Sequence, residues 1–124
     1  MLYAILCYND EAAVGGWSKE HDDKIMADLL AVQKPLVEAG KMGPVARLMP
    51  TTAATTLRKT AGEPMVLDGP FAETKEQFLG FYVIDAESLE EVVQVVRDLA
   101  EANPGMGSYE IRPVRDYFPG AQAK

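Results

Sequence analysis

The chain has 124 residues, of which 48 % are hydrophobic and 25 % charged, and this composition fits one globular domain with a single core. Its formal charge of −7 and its pI near 4.6 argue against a nucleic-acid or anionic-membrane surface, because neutralising phosphates requires clustered Lys and Arg. No stretch approaches the roughly 20 apolar residues of a membrane span, and the start Met1–Tyr3 lacks the basic residues of a signal peptide. A cytoplasmic location is therefore expected.

The sequence also lacks the residue patterns of the common metal-binding and nucleotide-binding sites. One cysteine, Cys7, and one histidine cannot supply the three or four protein ligands of a zinc site. The pair Gly15-Gly16 lacks the spacing of a dinucleotide-binding loop. We expect no metal and no cofactor, and we expect Cys7 to be a small buried hydrophobic residue rather than a reactive thiol.

The first half of the chain predicts a strand, a loop and a long helix. The strand covers 2–8, a loop follows over residues 9–16, and Ser18 is a suitable helix N-cap. The helix ends at Gly40, and Pro35 predicts a kink or a break in its last turn because proline removes a backbone donor. Its broad apolar stripe follows helical spacing: Ile25, Met26, Leu29, Leu30, Val32, Leu36, Val37.

The second half predicts five more strands and one more helix. Strands are expected near 45–48, 55–59, 65–67 and 79–85, and a last strand contains Ile111 and Val114. The pattern Ser88-Leu89-Glu90-Glu91 is a capping box, in which serine and glutamate satisfy each other's free backbone donors, so a helix begins there. Asn103-Pro104-Gly105 ends it.

This order of strands and helices is that of a ferredoxin-like α+β sandwich, with an antiparallel sheet and two helices on one face. The segments 2–8 and 81–84 are apolar on both faces, whereas a strand with one wet face alternates. Two helices cover only one face of a sheet. We therefore expect a second copy of the chain to cover the other face in a homodimer.

The loop Asp68–Glu76, with the sequence DGPFAETKE, combines turn residues, three carboxylates and a lysine. DGPFAETKEQ followed by a Gly-aromatic strand resembles the YCII-related domain family, in the branch named for its DGPF motif. The resemblance extends over nearly the whole chain, through the opening strand, the helix end at Ala39-Gly40 and the closing segment 107–114. It implies a ferredoxin-like fold that pairs into a dimeric α/β barrel, with residues 1–115 as one domain and 116–124 as a C-terminal tail.

His21 is the only histidine, and histidine is the side chain that ordinarily exchanges protons near neutral pH. The wider YCII family has a histidine early in its first helix, paired with an aspartate as a proposed catalytic pair, and the resemblance implies this role for His21. Asp68 is the preferred partner because its loop can reach a cleft, with Asp22 and Asp23 as alternatives. The alternative to this catalytic role is that His21 is a solvent-exposed residue at the start of the helix.

Four further residues are candidates for holding a substrate. Glu73 and Glu76 form a possible acid–base pair or hold Lys75 in place. Arg47 is a candidate for binding a carboxylate or phosphate, as arginine does with two parallel hydrogen bonds. Polar loop residues with solvated charges are the simpler interpretation of the same pattern.

Three classes of function remain open on the sequence alone. The first is an enzyme that uses His21 and Asp68 for general acid–base chemistry on a small anionic molecule. The second is a non-catalytic ligand-binding or regulatory module, which the resemblance links to sigma-factor-type transcription control. The third is a dimeric scaffold, because folds of this kind host many unrelated functions.

Overall fold

The computed structural model describes residues 1–120. The last four residues of the predicted tail lie outside this range. The regular elements, in chain order, are β1 (Leu2–Asn9), α1 (Glu11–Gly15), α2 (Lys19–Glu38), β2 (Met42–Arg47), a short 3-10 turn (Thr51–Ala53), β3 (Thr55–Arg58), β4 (Met65–Asp68), β5 (Gln77–Asp85), α3 (Leu89–Ala102) and β6 (Ser108–Pro113).

The main sheet has four strands in the order β2-β5-β1-β6, and every neighbouring pair is antiparallel. This is the ferredoxin-like arrangement that the order of elements predicts. Strands β3 and β4 form a separate two-stranded hairpin. The loop Asp68–Glu76 therefore connects two different sheets, and it is not the turn of a simple hairpin.

Both long helices begin where local side-chain chemistry predicts. The Ser18 hydroxyl accepts a hydrogen bond from the backbone N–H of His21 at 3.1 Å, and the Ser88 hydroxyl accepts one from the N–H of Glu91 at 3.2 Å. The return bond of the second cap reaches one residue further back than predicted, because the Glu91 carboxylate accepts from the N–H of Glu87 at 2.9 Å. That carboxylate also pairs with Lys41 at 2.8 Å, which ties the start of α3 to the residue before β2.

Three local predictions need correction. Segment 11–15, expected to be a loop, forms the short helix α1, because the Asp10 carboxylate caps it by accepting from the N–H of Ala12 at 2.9 Å. Helix α2 continues through Pro35 to Glu38 without the expected break, and its last turn stays hydrogen-bonded because the Ala39 N–H donates to the Pro35 carbonyl at 3.0 Å; the expected kink stays a prediction. Leu30 and Val37 belong to the solvent-exposed side of α2 and not to its buried stripe.

The core lies between the helices and one face of the main sheet. It combines alternate residues of the central strands with the inner faces of α2 and α3, and its fully buried members are Ile5, Ile84, Leu99 and Val92. Gly40, just past the end of α2, has φ of 70°, the left-handed conformation that glycine adopts without steric cost. None of the helices within residues 1–120 is both long and apolar enough to cross a membrane.

The other face of the main sheet carries side chains that the chain itself covers only in part. Ala4 and Leu6 of β1, together with Phe81 of β5, have intermediate exposure there. On the helix face, the neighbouring Ile5 and Tyr82 are buried. The predicted homodimer, which would cover this second face, stays a prediction.

Candidate functional site

A cavity of about 220 Å³ lies between helix α2 and the main sheet, and we call it the α2–sheet cavity. Its lining combines residues of the central strands, the helices and the loops beside them. Most of these side chains are apolar or aromatic, and Arg47 is the one charged residue among those that the structure describes. Ligand sites in proteins have this composition, with a few polar groups fixing the orientation of a mostly apolar ligand.

The floor of the cavity is one row of the sheet. In register across four strands lie Arg47 of β2, Gly80 of β5, Cys7 of β1 and Tyr109 of β6. Four strands span three inter-strand spacings, so the backbone of Arg47 lies roughly 14 Å from that of Tyr109. The two middle residues have small side chains or none, and the space above them is the cavity.

The close approach of the β2 backbone requires glycine at position 80 of β5. A Cβ atom added at this position would lie 2.4 Å from the Ala46 carbonyl oxygen and 3.3 Å from the Arg47 Cα. Both atoms belong to the backbone of β2, which cannot rotate away as a side chain can. Glycine therefore allows β2 to approach β5 and places Arg47 at the edge of the cavity.

Arg47 is held in place by Asp22 of helix α2. The guanidinium donates to Asp22 through Nη2 at 2.7 Å and Nη1 at 3.4 Å, an arrangement that orients the planar group. This hydrogen bond lowers the pKa of the Asp22 carboxyl and raises that of Arg47. Asp22, one of the alternative partners considered for His21, is thus bound to the arginine of the cavity.

The polar groups deeper in the cavity are neutral at physiological pH. Burial raises the pKa of the Cys7 thiol to about 11 and that of the Tyr82 hydroxyl to about 12, because removal from water disfavours the charged form. Burial also raises the pKa of Tyr109. These groups are therefore hydrogen-bonding groups rather than ionised nucleophiles. Cys7 is half-buried at the cavity and not fully buried as predicted, and its raised pKa fits the predicted unreactive thiol.

His21 lies beside the cavity and does not line it. Its ring is exposed and meets the ring of Trp17 edge-on, with the centroids 5.1 Å apart. Trp17 does line the cavity. His21 also precedes Asp22 in the chain, so the histidine, the Arg47–Asp22 ion pair and the cavity share one region of the molecule.

The residues chosen from the DGPF loop lie elsewhere. Asp68 is exposed at the end of β4, Glu73 and Lys75 are exposed in the loop, and none of the three lines the cavity. Glu76 accepts a hydrogen bond from the Ser108 hydroxyl at 2.6 Å and so ties the loop to the start of β6. Of the predicted substrate-binding residues, only Arg47 lines the cavity, and the pairing of His21 with Asp68 stays a prediction.

Sequence reasoning did not select Asn103 or Tyr109 as residues of the site. Asn103 signalled only the end of a helix, and Tyr109 only membership of the last strand. The available signal was the alternation of β6, in which Tyr109 and Ile111 belong to the same face. Their position over the cavity depends on the register between strands far apart in the sequence.

The comparisons with known proteins agree with this architecture. A sequence model of the YCII-related domain family matches residues 1–117. An uncharacterised protein of Rhizobium meliloti (strain 1021) is 65 % identical over 120 residues, which cover 97 % of each chain. Among solved structures, the fold is similar to that of 5-chloro-2-hydroxyhydroquinone dehydrochlorinase (TftG) from Burkholderia phenoliruptrix AC1100 in complex with 2,5-dihydroxybenzoquinone. That match has a TM-score of 0.51 and 19 % identity, and it covers 93 % of this chain and 94 % of the other. The chain belongs to the YCII-related domain family.

Proposed function

We propose that the protein binds a small, single-ring organic molecule with an acidic oxygen substituent in the α2–sheet cavity, where Arg47 holds that oxygen. The observation that carries the proposal is the cavity itself, which is mostly apolar and has one cationic side chain. Its volume of about 220 Å³ exceeds that of a cavity of about 150 Å³ known to bind benzene, and it is smaller than a typical pocket for a drug-sized ligand. A substituted ring is the ligand class that fits both size and polarity.

The similar dehydrochlorinase supports the same class of ligand. Its structure holds 2,5-dihydroxybenzoquinone, a single ring with oxygen substituents. Arg47 is already oriented by Asp22, and its Nη1 contact at 3.4 Å is the weaker of the two. An oxygen of the ligand can take over hydrogen bonds from the guanidinium without leaving the cation unpaired.

Trp17 provides the direct test, since it is the only tryptophan and lines the cavity. The protein is titrated with 4-hydroxybenzoate and with 2,5-dihydroxybenzoquinone, and binding is followed by Trp17 fluorescence and by calorimetry. Loss of a hydrogen bond to a charged group costs about 1.5–3 kcal/mol, so Arg47→Met should weaken binding roughly 10- to 150-fold.

Arg97→Met is the matched control, because Arg97 is exposed on α3 and does not line the cavity. It should leave the affinity unchanged. If both substitutions have the same effect, or if neither ring compound binds the folded wild-type protein, the proposal is wrong.

Acid–base catalysis on the bound molecule is the second candidate, and it is favoured by the contact of His21 with Trp17, which lines the cavity. If the protein turns its ligand over, His21→Ala should abolish product formation. It should leave the melting temperature nearly unchanged, because an exposed residue of the first helical turn contributes little to the core. Binding without product in the wild type would support the non-catalytic alternative. The comparisons give the link to sigma factors no support.

A further inference from the structure

The hydroxyl group of Tyr82 is a polar group in the cavity wall that has no partner. Tyr82 of β5 lines the α2–sheet cavity, and only 9 % of its surface is exposed. Its hydroxyl makes no hydrogen bond to any of the residues 1–120 that the structure describes. The hydroxyl of a buried tyrosine ordinarily finds a partner, so an unpaired one in a folded protein calls for an explanation.

This hydroxyl is accessible from the cavity. Within the described residues, the unpaired side-chain N and O atoms that are fully enclosed by protein comprise Asn103 Oδ1 alone. The unpaired oxygen of Tyr82 is not fully enclosed, so it keeps accessible surface. Because the rest of Tyr82 is packed into the core, this surface faces the cavity that the residue lines.

The neighbours of the hydroxyl place it towards the floor of the cavity. Tyr82 follows Gly80 by two residues, so both positions belong to the helix face of the sheet. Burial is the main influence on the pKa of Tyr82 and raises it. Cys7 and Tyr109 raise this pKa further, and Arg47 lowers it. These three residues lie in register with Gly80, and electrostatic influence falls with distance, so the hydroxyl lies on the side of Tyr82 that faces this row.

We propose that Tyr82 is a specificity-determining residue whose hydroxyl donates a hydrogen bond to a second oxygen of the ligand, separate from the acidic oxygen on Arg47. The inference rests on the proposed function and narrows the ligand to rings with two oxygen substituents. Tyr82 is a donor at physiological pH, because burial raises its pKa to about 12. The acceptor is a second oxygen because Cys7 and Tyr109 act on Tyr82 more strongly than Arg47 does.

The variant Tyr82→Phe separates ligand recognition from folding. Phenylalanine keeps the ring and removes only the hydroxyl, which has no hydrogen bond within the described residues to lose. The melting temperature of Tyr82→Phe should therefore equal or exceed that of the wild type. A clearly lower melting temperature would contradict the inference, because it would show that the hydroxyl stabilises the fold. Tyr3→Phe is the matched control, since Tyr3 is a buried tyrosine of the same core that does not line the cavity.

The binding test compares 3-hydroxybenzoate and 4-hydroxybenzoate, which carry a second oxygen, with benzoate, which does not. All three keep the carboxylate for Arg47. The wild type should bind the better of the two hydroxybenzoates about 2- to 10-fold more tightly than benzoate, the range of one ordinary hydrogen bond. Tyr82→Phe should reduce this ratio to about one and leave the affinity for benzoate unchanged, whereas Tyr3→Phe should keep the ratio of the wild type.

The outcomes distinguish this inference from the proposed function. A ratio near one in the wild type, or an unchanged ratio in Tyr82→Phe, would refute the role of Tyr82. If Arg47→Met still weakened binding, the proposed function would remain intact. Equal weakening of benzoate and the hydroxybenzoates by Tyr82→Phe would refute a second oxygen as the acceptor. Failure of all three benzoates and of 2,5-dihydroxybenzoquinone to bind would overturn the proposed function and this inference together.

Discussion

Gly80→Ala is the substitution that most directly tests how the cavity is built. The added methyl group would lie 2.4 Å from the Ala46 carbonyl oxygen, where ordinary contacts begin near 3.4 Å. Strand β2 would therefore have to move by about an ångström relative to β5, against the close packing of the sheet. The nearby hydrogen bond from the Leu48 N–H to the Leu79 carbonyl, 2.8 Å long, would be strained by that movement.

The expected loss of stability follows from two opposing effects. Overpacking of this kind costs about 1–3 kcal/mol. Replacing glycine by alanine also restricts the unfolded chain, which returns about 0.4–1 kcal/mol. The net loss is about 1–2 kcal/mol, which for a domain of this size lowers the Tm by roughly 3–12 °C.

Calorimetric melting and urea titration measure this loss. Gly62→Ala is the matched control, because a methyl group there meets no atom within 4 Å and its backbone has no positive φ. The control should be neutral or slightly stabilising. Since the added group also lies 3.3 Å from the Arg47 Cα, Gly80→Ala should weaken the binding of 4-hydroxybenzoate as well. Equal stability of the two variants would refute the view that close approach of β2 requires glycine at this position.

Three further predictions concern charge, reactivity and assembly. The hydrogen bond from Arg47 lowers the pKa of Asp22 below its ordinary value of 3.8. In urea titrations at pH 7, the wild type should therefore have a larger free energy of unfolding than Asp22→Asn. This difference in stability should vanish as the pH falls through the lowered pKa of Asp22. Burial raises the pKa of Cys7 to about 11, so on the order of one Cys7 side chain in a thousand is a thiolate at pH 8. Iodoacetamide should therefore label the native protein far more slowly than the protein unfolded in urea. Equal labelling rates would show that the thiol is accessible and reactive in the native protein. Light scattering after gel filtration should give the mass of a homodimer for the wild type. Phe81→Asp, on the half-covered face of the sheet, should give the mass of a monomer. The control Leu30→Asp, on the exposed side of α2, should remain a dimer.

The sequence by itself determined the elements and their order, because the interactions that specify them are local. Ser18 and Ser88 cap helices through bonds to residues three positions away. The apolar periodicity located the helices and strands, and their order predicted the ferredoxin-like class. The short helix α1 could also have been predicted from the sequence, since Asp10 caps it by the same kind of local hydrogen bond.

The tertiary structure alone decided the site. Arg47, Gly80, Cys7 and Tyr109 share one row of the sheet only because three separate strand pairings fix their register. A shift of any strand by one residue would turn its side chain to the opposite face, and no local pattern specifies such a register across a hundred residues. For the same reason the sequence favoured the conspicuous loop Asp68–Glu76, whereas Arg47 is the one predicted substrate-binding residue that lines the cavity formed by the fold.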